Sequence, residues 1–361
     1  MNDVYYMNLA LDLARSTKGQ TSPNPMVGSV VVKEGAIVGV GAHLKAGEGH
    51  AEVQALTMAG EKAKGATIYV TLEPCSHFGR TPPCADLIIE KGCKRVVVAT
   101  KDSNPEVSGR GIAKLKEAGL EVEVGVCQEE ANELNEVFFH FMKNQVPYVT
   151  LKSATTFDGK TATVAGKSKW ITGPDAREDV HRSRHQHDAI LVGINTVLAD
   201  NPSLTTRLPN GGKNPIRIVL DRSLRIPTDT KLVQDQEAPT WVLTTEQASI
   251  KKQLELEQLG VSVFRLEDDS IEAALALLGT KGVTSLYVEG GAEVNGSFLK
   301  ARAVNQMIMY LAPKLFGGKE AQTAIGGAGF HEVEEALELE VKEVTTIGTD
   351  IKIVSRVKGS E

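Results

Sequence analysis

No stretch of this chain approaches the ~20 consecutive apolar residues needed to cross a bilayer. Residues 1–15 mix Asn, Asp, Tyr and Leu and lack a basic stretch followed by an apolar one, so no secretory leader is expected. Four cysteines in 361 residues are too few for a disulfide framework. Without export the expected compartment is the reducing cytoplasm, where cysteines that converge more often bind metal. The absence of a fixed-period repeat or low-complexity tract removes solenoids and arrays. No G-x-G-x-x-G follows an apolar run, which argues against a standard Rossmann domain. Charge is nearly balanced as well: a net −6 and a pI near 5.9 argue against an electrostatic grip on long nucleic acid, while leaving room for a local basic pocket.

What is present is the balance of a soluble globular protein, 41% hydrophobic and 24% charged, and the length favours two domains. Tyr5, Tyr6, Leu9, Ala10 and Leu13 share one helical face. Val27–Val32 and Ile37–Val40 read as a hairpin around Glu34-Gly35. A helix is predicted from about His50 to Ala63, a strand at Ile68–Leu72, a helix at Cys84–Lys91 and a strand at Arg95–Ala99. Gly111–Ala118 reads as helix, Val122–Val126 as strand, and Glu129–Met142 as one long amphipathic helix. This alternation predicts a layered α/β domain with a largely parallel sheet. Pro147 ends the preceding helix, so the domains are drawn at 1–145 and 148–361. The second half repeats the α/β pattern, with strands at Tyr148–Ala154, Ala189–Val192, Ile216–Asp221, Thr240–Thr244, Val261–Leu266, Ser285–Glu289, Gln306–Ala312 and Ile351–Val357, and a helix at about Pro174–His187.

The segment that carries chemistry is His50-Ala51-Glu52, then Pro74-Cys75, then Cys84. One imidazole and two thiolates suit zinc, and three protein ligands leave the fourth tetrahedral position for water, which marks a catalytic site. Zinc lowers the pKa of such a water toward neutrality, and Glu52 is placed to accept its proton and deliver it to a departing amine. Cys84 opens a helix after Pro82-Pro83, where helix-end charge favours a thiolate. Two residues span about 200° of helix, so His50 and Glu52 converge only where the helix start abuts the metal. The competing interpretations are a buried histidine with unrelated core cysteines, and a structural zinc with His77 as fourth ligand. Cys93 and Cys127 read as small apolar packing residues. His43 reads either as a substrate-side contact or as a plain surface residue.

In the second half, Ser285–Val288 runs into Glu289-Gly290-Gly291 and a helix. Backbone amides there could cradle a phosphate, though a Gly-Gly at such a junction is also an ordinary tight turn. Trp170 reads as core or as a cofactor wall. Lys167, Lys169, Arg177, Arg182 and Arg184 read as a solvated helix face, yet Arg184 and Arg207 suit a phosphate-bearing ligand through bidentate geometry.

The H-x-E … P-C … C pattern resembles the cytidine deaminase superfamily, whose usual second half is P-C-x-x-C. Here Ser76 to Pro83 separate the two cysteines. The stretch Pro74-Cys75-Ser76-His77-Phe78-Gly79-Arg80-Thr81-Pro82-Pro83-Cys84 resembles the long-loop form of the bifunctional riboflavin-biosynthesis deaminase/reductases, the RibD/RibG family. Thr21-Ser22-Pro23-Asn24-Pro25-Met26-Val27-Gly28 is similar to their substrate loop and Asp102-Ser103-Asn104-Pro105 to a later turn. In the second half Thr150–Ala154, Asp158-Gly159-Lys160, Lys169–Thr172, Gly193–Val197, Asp200–Thr205 and Val288–Gly291 match their reductase half. The resemblance covers essentially the whole chain.

It implies a cytidine-deaminase-like domain followed by a dihydrofolate-reductase-like α/β domain, with Zn2+ and NADPH as cofactors. The implied first reaction is hydrolytic loss of the 2-amino group from 2,5-diamino-6-ribosylamino-4(3H)-pyrimidinone 5′-phosphate. The second is hydride delivery to C1′, opening the ribosyl group to ribityl. By carry-over Asn24, Lys152, Ser168, Arg184, Leu204, Arg207 and Glu289 face substrate. Ala154, Trp170, Thr196, Asp200 and the stretch Gly291, Ala292, Glu293, Val294, Asn295, Gly296 and Ser297 line the nicotinamide cofactor. Arg222, from charge and position, meets its 2′-phosphate. Lys152 and Asp200 are candidates for proton handling. The expected partners are small pyrimidine nucleotides, with no nucleic acid and no membrane, in a homo-oligomer. Two rivals are a tRNA-adenosine-type editing deaminase with an unrelated C-terminal domain, and a zinc-stabilised binding module without catalysis.

Overall fold

The computed structural model describes residues 2–76, 82–102 and 108–359 and divides into two compact units, Met1–Gln145 and Val146–Glu361. His77, Ser103, Asn104 and Pro105 therefore lie outside the described residues.

In the first unit α1 (Asp3–Arg15) precedes the hairpin β1 (Gly28–Lys33) and β2 (Ala36–Ala42). There follow α2 (Ala51–Ala59), β3 (Thr67–Leu72), α3 (Cys84–Glu90), β4 (Arg95–Thr100), α4 (Arg110–Glu117), β5 (Glu121–Val124), α5 (Gln128–Leu134) and α6 (Glu136–Asn144). The sheet runs β2-β1-β3-β4-β5. Only the β3-β4-β5 half is parallel, because β1 pairs antiparallel with both β2 and β3. The cause is local. Glu34 and Gly35 both take positive φ, 50° and 78°, the two-residue turn that folds a strand straight back on itself.

Alternate residues of the sheet feed two cores. Val31, Ile68, Val70, Val96 and Val98 pack with Leu56, Ile88 and Leu115 on one face. Val30, Val32, Tyr69 and Val97 pack with Met7, Leu11 and Ala131 on the other. The long helix expected over Glu129–Met142 is two helices. Asn135 leaves helical geometry (φ −107°, ψ 21°), is buried, and pairs with the backbone of Met26 through both amide atoms, at 2.8 Å and 2.9 Å. An asparagine with a backbone partner elsewhere breaks a helix readily.

The second unit contains β6 (Tyr148–Thr156), α7 (Pro174–Gln186), β7 (Ala189–Gly193), α8 (Ile194–Asp200), β8 (Ile216–Leu220), α9 (Lys231–Gln234) and β9 (Thr240–Thr245). It continues through α10 (Ile250–Gln258), β10 (Ser262–Leu266), α11 (Ile271–Thr280), β11 (Ser285–Val288), α12 (Ala292–Lys300), β12 (Gln306–Ala312), β13 (Leu339–Ile347) and β14 (Asp350–Val357). The strand order is β10-β9-β8-β7-β11-β6-β12-β14-β13. The strands from β10 to β12 are parallel, and β14 and β13 close the edge antiparallel. β13 escapes sequence reading because it is mostly exposed and carries Glu340, Lys342 and Glu343, charges that suit an edge strand. Ligands bind such sheets beyond the carboxyl ends of the parallel strands. That end of β11 carries Glu289.

Candidate active sites

The first site forms where α2 begins. His50 sits just before the helix in extended backbone (φ −67°, ψ 164°), while Glu52 lies in its first turn. The extended step frees the imidazole from helical spacing, so both side chains reach one place. α2 lies close on β2 because two glycines present no side chain. A Cβ on Gly39 would stand 2.1 Å from the Ala55 carbonyl oxygen, and one on Gly41 2.2 Å from that of Ala51. Cys75 follows the end of β3, and the N-terminus of α3 turns to it. The Cys84 N–H donates to Cys75 Sγ at 3.2 Å and the Ala85 N–H to the Cys75 carbonyl at 3.1 Å.

His50 Nδ1 stands 3.6 Å from Cys75 Sγ and 3.3 Å from Cys84 Sγ, and all three donor atoms lie within 4.8 Å of one another. A tetrahedral zinc with Zn–S of about 2.3 Å and Zn–N of about 2.0–2.1 Å requires N···S separations of about 3.6 Å, so this donor set fits the ion. The contact with Cys84 holds the Cys75 thiol down to about 4, whereas sharing with Cys75 and burial push the Cys84 thiol up. One sulfur is thus already disposed to be a thiolate, the form that binds metal. Glu52 is buried and hydrogen-bonds Cys84. Burial pushes its carboxyl up to about 7, against the opposing pull of His50. A carboxyl poised near neutrality can both take and give a proton.

Asn24 and His43 stand beside this cluster. Asn24 Nδ2 is 3.1 Å from His43 Nε2, and the His43 ring meets the His50 ring edge-on at 5.5 Å between centroids. His43 is buried, so it is not the plain surface residue that the sequence left open. A further residue went unread. Glu73, buried, accepts backbone N–H bonds from Gly109 (2.9 Å), Gly111 (3.0 Å) and Ile112 (3.2 Å). Gly111 comes so close that a Cβ there would stand 2.1 Å from the Pro74 carbonyl oxygen. The carboxylate thereby pins the start of α4 against the turn that presents Cys75. Its signal was a glutamate directly after a buried strand, a position that an acid occupies only with partners.

In the second unit the charged residues converge on Glu289. Arg184 grips it with two bonds, Nε to Oε1 at 2.7 Å and Nη2 to Oε2 at 3.1 Å, while Lys152 Nζ stands 3.5 Å from Oε2. Burial alone would raise the Glu289 carboxyl, but the Arg184 and Lys152 charges outweigh it and hold the group at about 2. Arg184 also donates to the Thr205 carbonyl at 3.1 Å, and Arg207 donates to the Thr205 hydroxyl at 3.4 Å. His181, unread in the sequence, accepts from the Arg207 N–H. Burial, with the neighbouring Arg184 and Arg207 charges, pushes it down to about 4, so it is neutral at physiological pH. Arg184 therefore belongs to this cluster and not to a solvated helix face.

Beyond the carboxyl ends of β8, β9 and β10 lies a cleft of about 400 Å³. Arg222, Glu293, Val294 and Ser297 line it. The remaining expected cofactor residues are not among those that line it. Gly291 precedes α12, Thr196 sits in α8, and Ala154 packs beside the core from β6. Trp170 is 67% exposed under the Arg177 guanidinium at 4.6 Å, and Asp200 pairs with Lys169 at 3.0 Å. Ala292 accepts the Gly326 N–H through its carbonyl. Leu204 is packed among Ile190, Val197 and Val219, and the Asn295 amide donates to the Ala324 carbonyl at 2.8 Å. Gly296 lets the same segment approach, since a Cβ would lie 2.3 Å from the Gly326 carbonyl oxygen. Ser168 is exposed on the segment before Trp170.

The geometry places three converging metal donors beside a buried carboxyl in one unit, and in the other a nucleotide-sized cleft and, apart from its lining, a buried cluster of charges. Residues 1–100 match the cytidine and deoxycytidylate deaminase zinc-binding region, and residues 147–353 match the RibD C-terminal domain. The chain is 52% identical over 353 residues to the riboflavin biosynthesis protein RibD of Bacillus amyloliquefaciens, covering 97% of this chain and 95% of that one. It is 43% identical over 363 residues to RibD of Escherichia coli, covering 97% and 98%. Acinetobacter baumannii RibD superposes with a TM-score of 0.90 at 39% identity, over 99% of both chains. A Thermotoga maritima diaminohydroxyphosphoribosylaminopyrimidine deaminase/5-amino-6-(5-phosphoribosylamino)uracil reductase gives 0.87 at 38%, over 98% of both. The chain belongs to the RibD family of riboflavin biosynthesis proteins.

Proposed function

We propose that the chain performs two consecutive steps of riboflavin biosynthesis, deaminating 2,5-diamino-6-ribosylamino-4(3H)-pyrimidinone 5′-phosphate in residues 1–145 and reducing the product with NADPH in residues 148–361. The observation that carries the first step is the convergence of His50, Cys75 and Cys84 beside a buried Glu52. His50, Cys75 and Cys84 would hold a zinc ion, which would supply a water acidic enough to act as nucleophile near neutral pH. Glu52, buried beside these donors, would accept the attacking water's proton and deliver it to the 2-amino group as it leaves. Asn24, whose side chain meets that of His43, would hydrogen-bond the pyrimidine.

For the second step, bound NADPH would supply the hydride that opens the ribosyl group at C1′. Lys152 and Glu289, with Arg184 and Arg207, form the polar end of the substrate site, and guanidinium forks suit the 5′-phosphate. Ala154, Ser168, Trp170, Thr196, Asp200 and the α12 start from Gly291 surround the cofactor, with Arg222 toward its 2′-phosphate. Among the described residues no helix is long and apolar enough to cross a membrane. We read the protein as cytoplasmic and homo-oligomeric. A tRNA-editing role is disfavoured by the net charge of −6 and by a C-terminal half of the RibD family.

The test is a paired assay on the intact chain with and without a metal chelator. Ammonia release should stop on chelation and return with zinc. NADPH oxidation on the deaminated nucleotide should continue unchanged. Loss of both activities would mean the two centres are not independent, and absence of NADPH oxidation altogether would remove the reductase assignment.

A further inference from the structure

The cleft beyond β8, β9 and β10 holds two opposite answers to one chemical question. Arg222 and Asp269 both line it, and they form an ion pair with each other. A guanidinium there suits the 2′-phosphate that distinguishes NADPH, whereas a carboxylate suits the free 2′-hydroxyl of NADH. The Arg222 backbone is fixed, because its carbonyl accepts from the Thr244 hydroxyl at 2.9 Å, the Thr245 hydroxyl at 3.1 Å and the Thr245 N–H at 3.3 Å. Its side chain is 73% exposed and that of Asp269 49%, so the pair itself costs little to break. Deeper in the cleft Asp221 is buried. One of its oxygens accepts the Ile226 N–H at 2.8 Å, and the other has no partner among the described residues. A buried, unsatisfied acceptor of this kind points to a hydroxyl- or amine-bearing ligand.

We propose that Asp269 sets the cofactor preference of this cleft, competing with the 2′-phosphate for Arg222 and so narrowing the advantage of NADPH over NADH. This rests on reading the cleft as the adenosine end of the cofactor site. To bind NADPH, Arg222 leaves Asp269 for the phosphate, and the carboxylate then faces a group carrying most of two negative charges. To bind NADH, Asp269 accepts from the ribose hydroxyl without moving. Removing the carboxylate should therefore help one cofactor and not the other.

The experiment is calorimetric titration of the intact chain with 2′,5′-ADP and with 5′-AMP, at fixed low salt, for the wild type, Asp269→Asn and Arg222→Ala. Asp269→Asn should bind 2′,5′-ADP roughly five- to tenfold tighter, with 5′-AMP unchanged or weaker, and the gain should shrink at high salt. Arg222→Ala should lose most of the preference for 2′,5′-ADP. If Asp269→Asn leaves the ratio of the two affinities unchanged while Arg222→Ala lowers it, the role of Asp269 is wrong and the cleft assignment stands. If neither nucleotide binds the wild type, or neither substitution alters either affinity, the cleft assignment falls and the proposal with it. Both side chains are exposed, so folding is not at stake, and an unchanged thermal midpoint verifies that.

Discussion

Glu52→Gln is expected to lower deamination by about 10³-fold or more while zinc content stays at the wild-type level. The amide keeps the shape and hydrogen-bonding reach of the carboxyl but cannot carry a proton from water to leaving amine, and a positioned acid–base group contributes about 10²–10⁴ to a rate. Glu52 is buried next to the metal donors without being one of them. The substitution thus separates catalysis from metal binding, which the binding-module interpretation does not allow. Reduction of the deaminated nucleotide serves as the internal control and should be unaffected. If deamination survives the change, the proton route runs through another group.

The second large effect concerns the buried charge cluster of the reductase unit. Glu289→Gln leaves the Arg184 guanidinium and the Lys152 ammonium without their counter-charge, with side chains only 12% and 18% exposed. Breaking one partner of a buried pair costs about 3–5 kcal/mol, so denaturant unfolding of the second unit should begin earlier by that amount and reduction should be lost. The pH dependence has a definite sign. Glu289 titrates at about 2 in the folded chain, below the 4.5 of an ordinary glutamate. Its stabilisation is fully present above that ordinary value and disappears as pH falls through 4.5 toward 2. The wild-type second unit should lose stability across this window, and the Glu289→Gln protein should lack that part of the acid sensitivity. An unchanged acid profile in the variant would show that the cluster does not stabilise the fold.

The metal set was readable because its chemistry is carried by residue type and by punctuation. Pro74 ends a strand just before Cys75, Pro82-Pro83 precede the helix that begins at Cys84, and a carboxylate follows His50 by two positions. The extended step before α2 could not be read, and that step brings His50 and Glu52 together. The antiparallel β1–β2 hairpin was legible in Glu34-Gly35, whereas the antiparallel pairing of β1 with β3 was not, because strand–helix alternation dominated the pattern. Asn135 split a helix whose apolar period gave no warning, since its partner, Met26, lies 109 residues away. Long-range pairing of that sort leaves no local trace. His181 and Asp269 were missed for the same reason: each pairs with a residue brought from another element.

X-ray absorption at the zinc edge of the intact, resting protein tests the central claim most directly. One zinc per chain with two sulfur, one nitrogen and one light solvent atom in its first shell is the predicted result. A shell filled by four protein donors, or zinc retained after His50, Cys75 and Cys84 are all replaced, would contradict it.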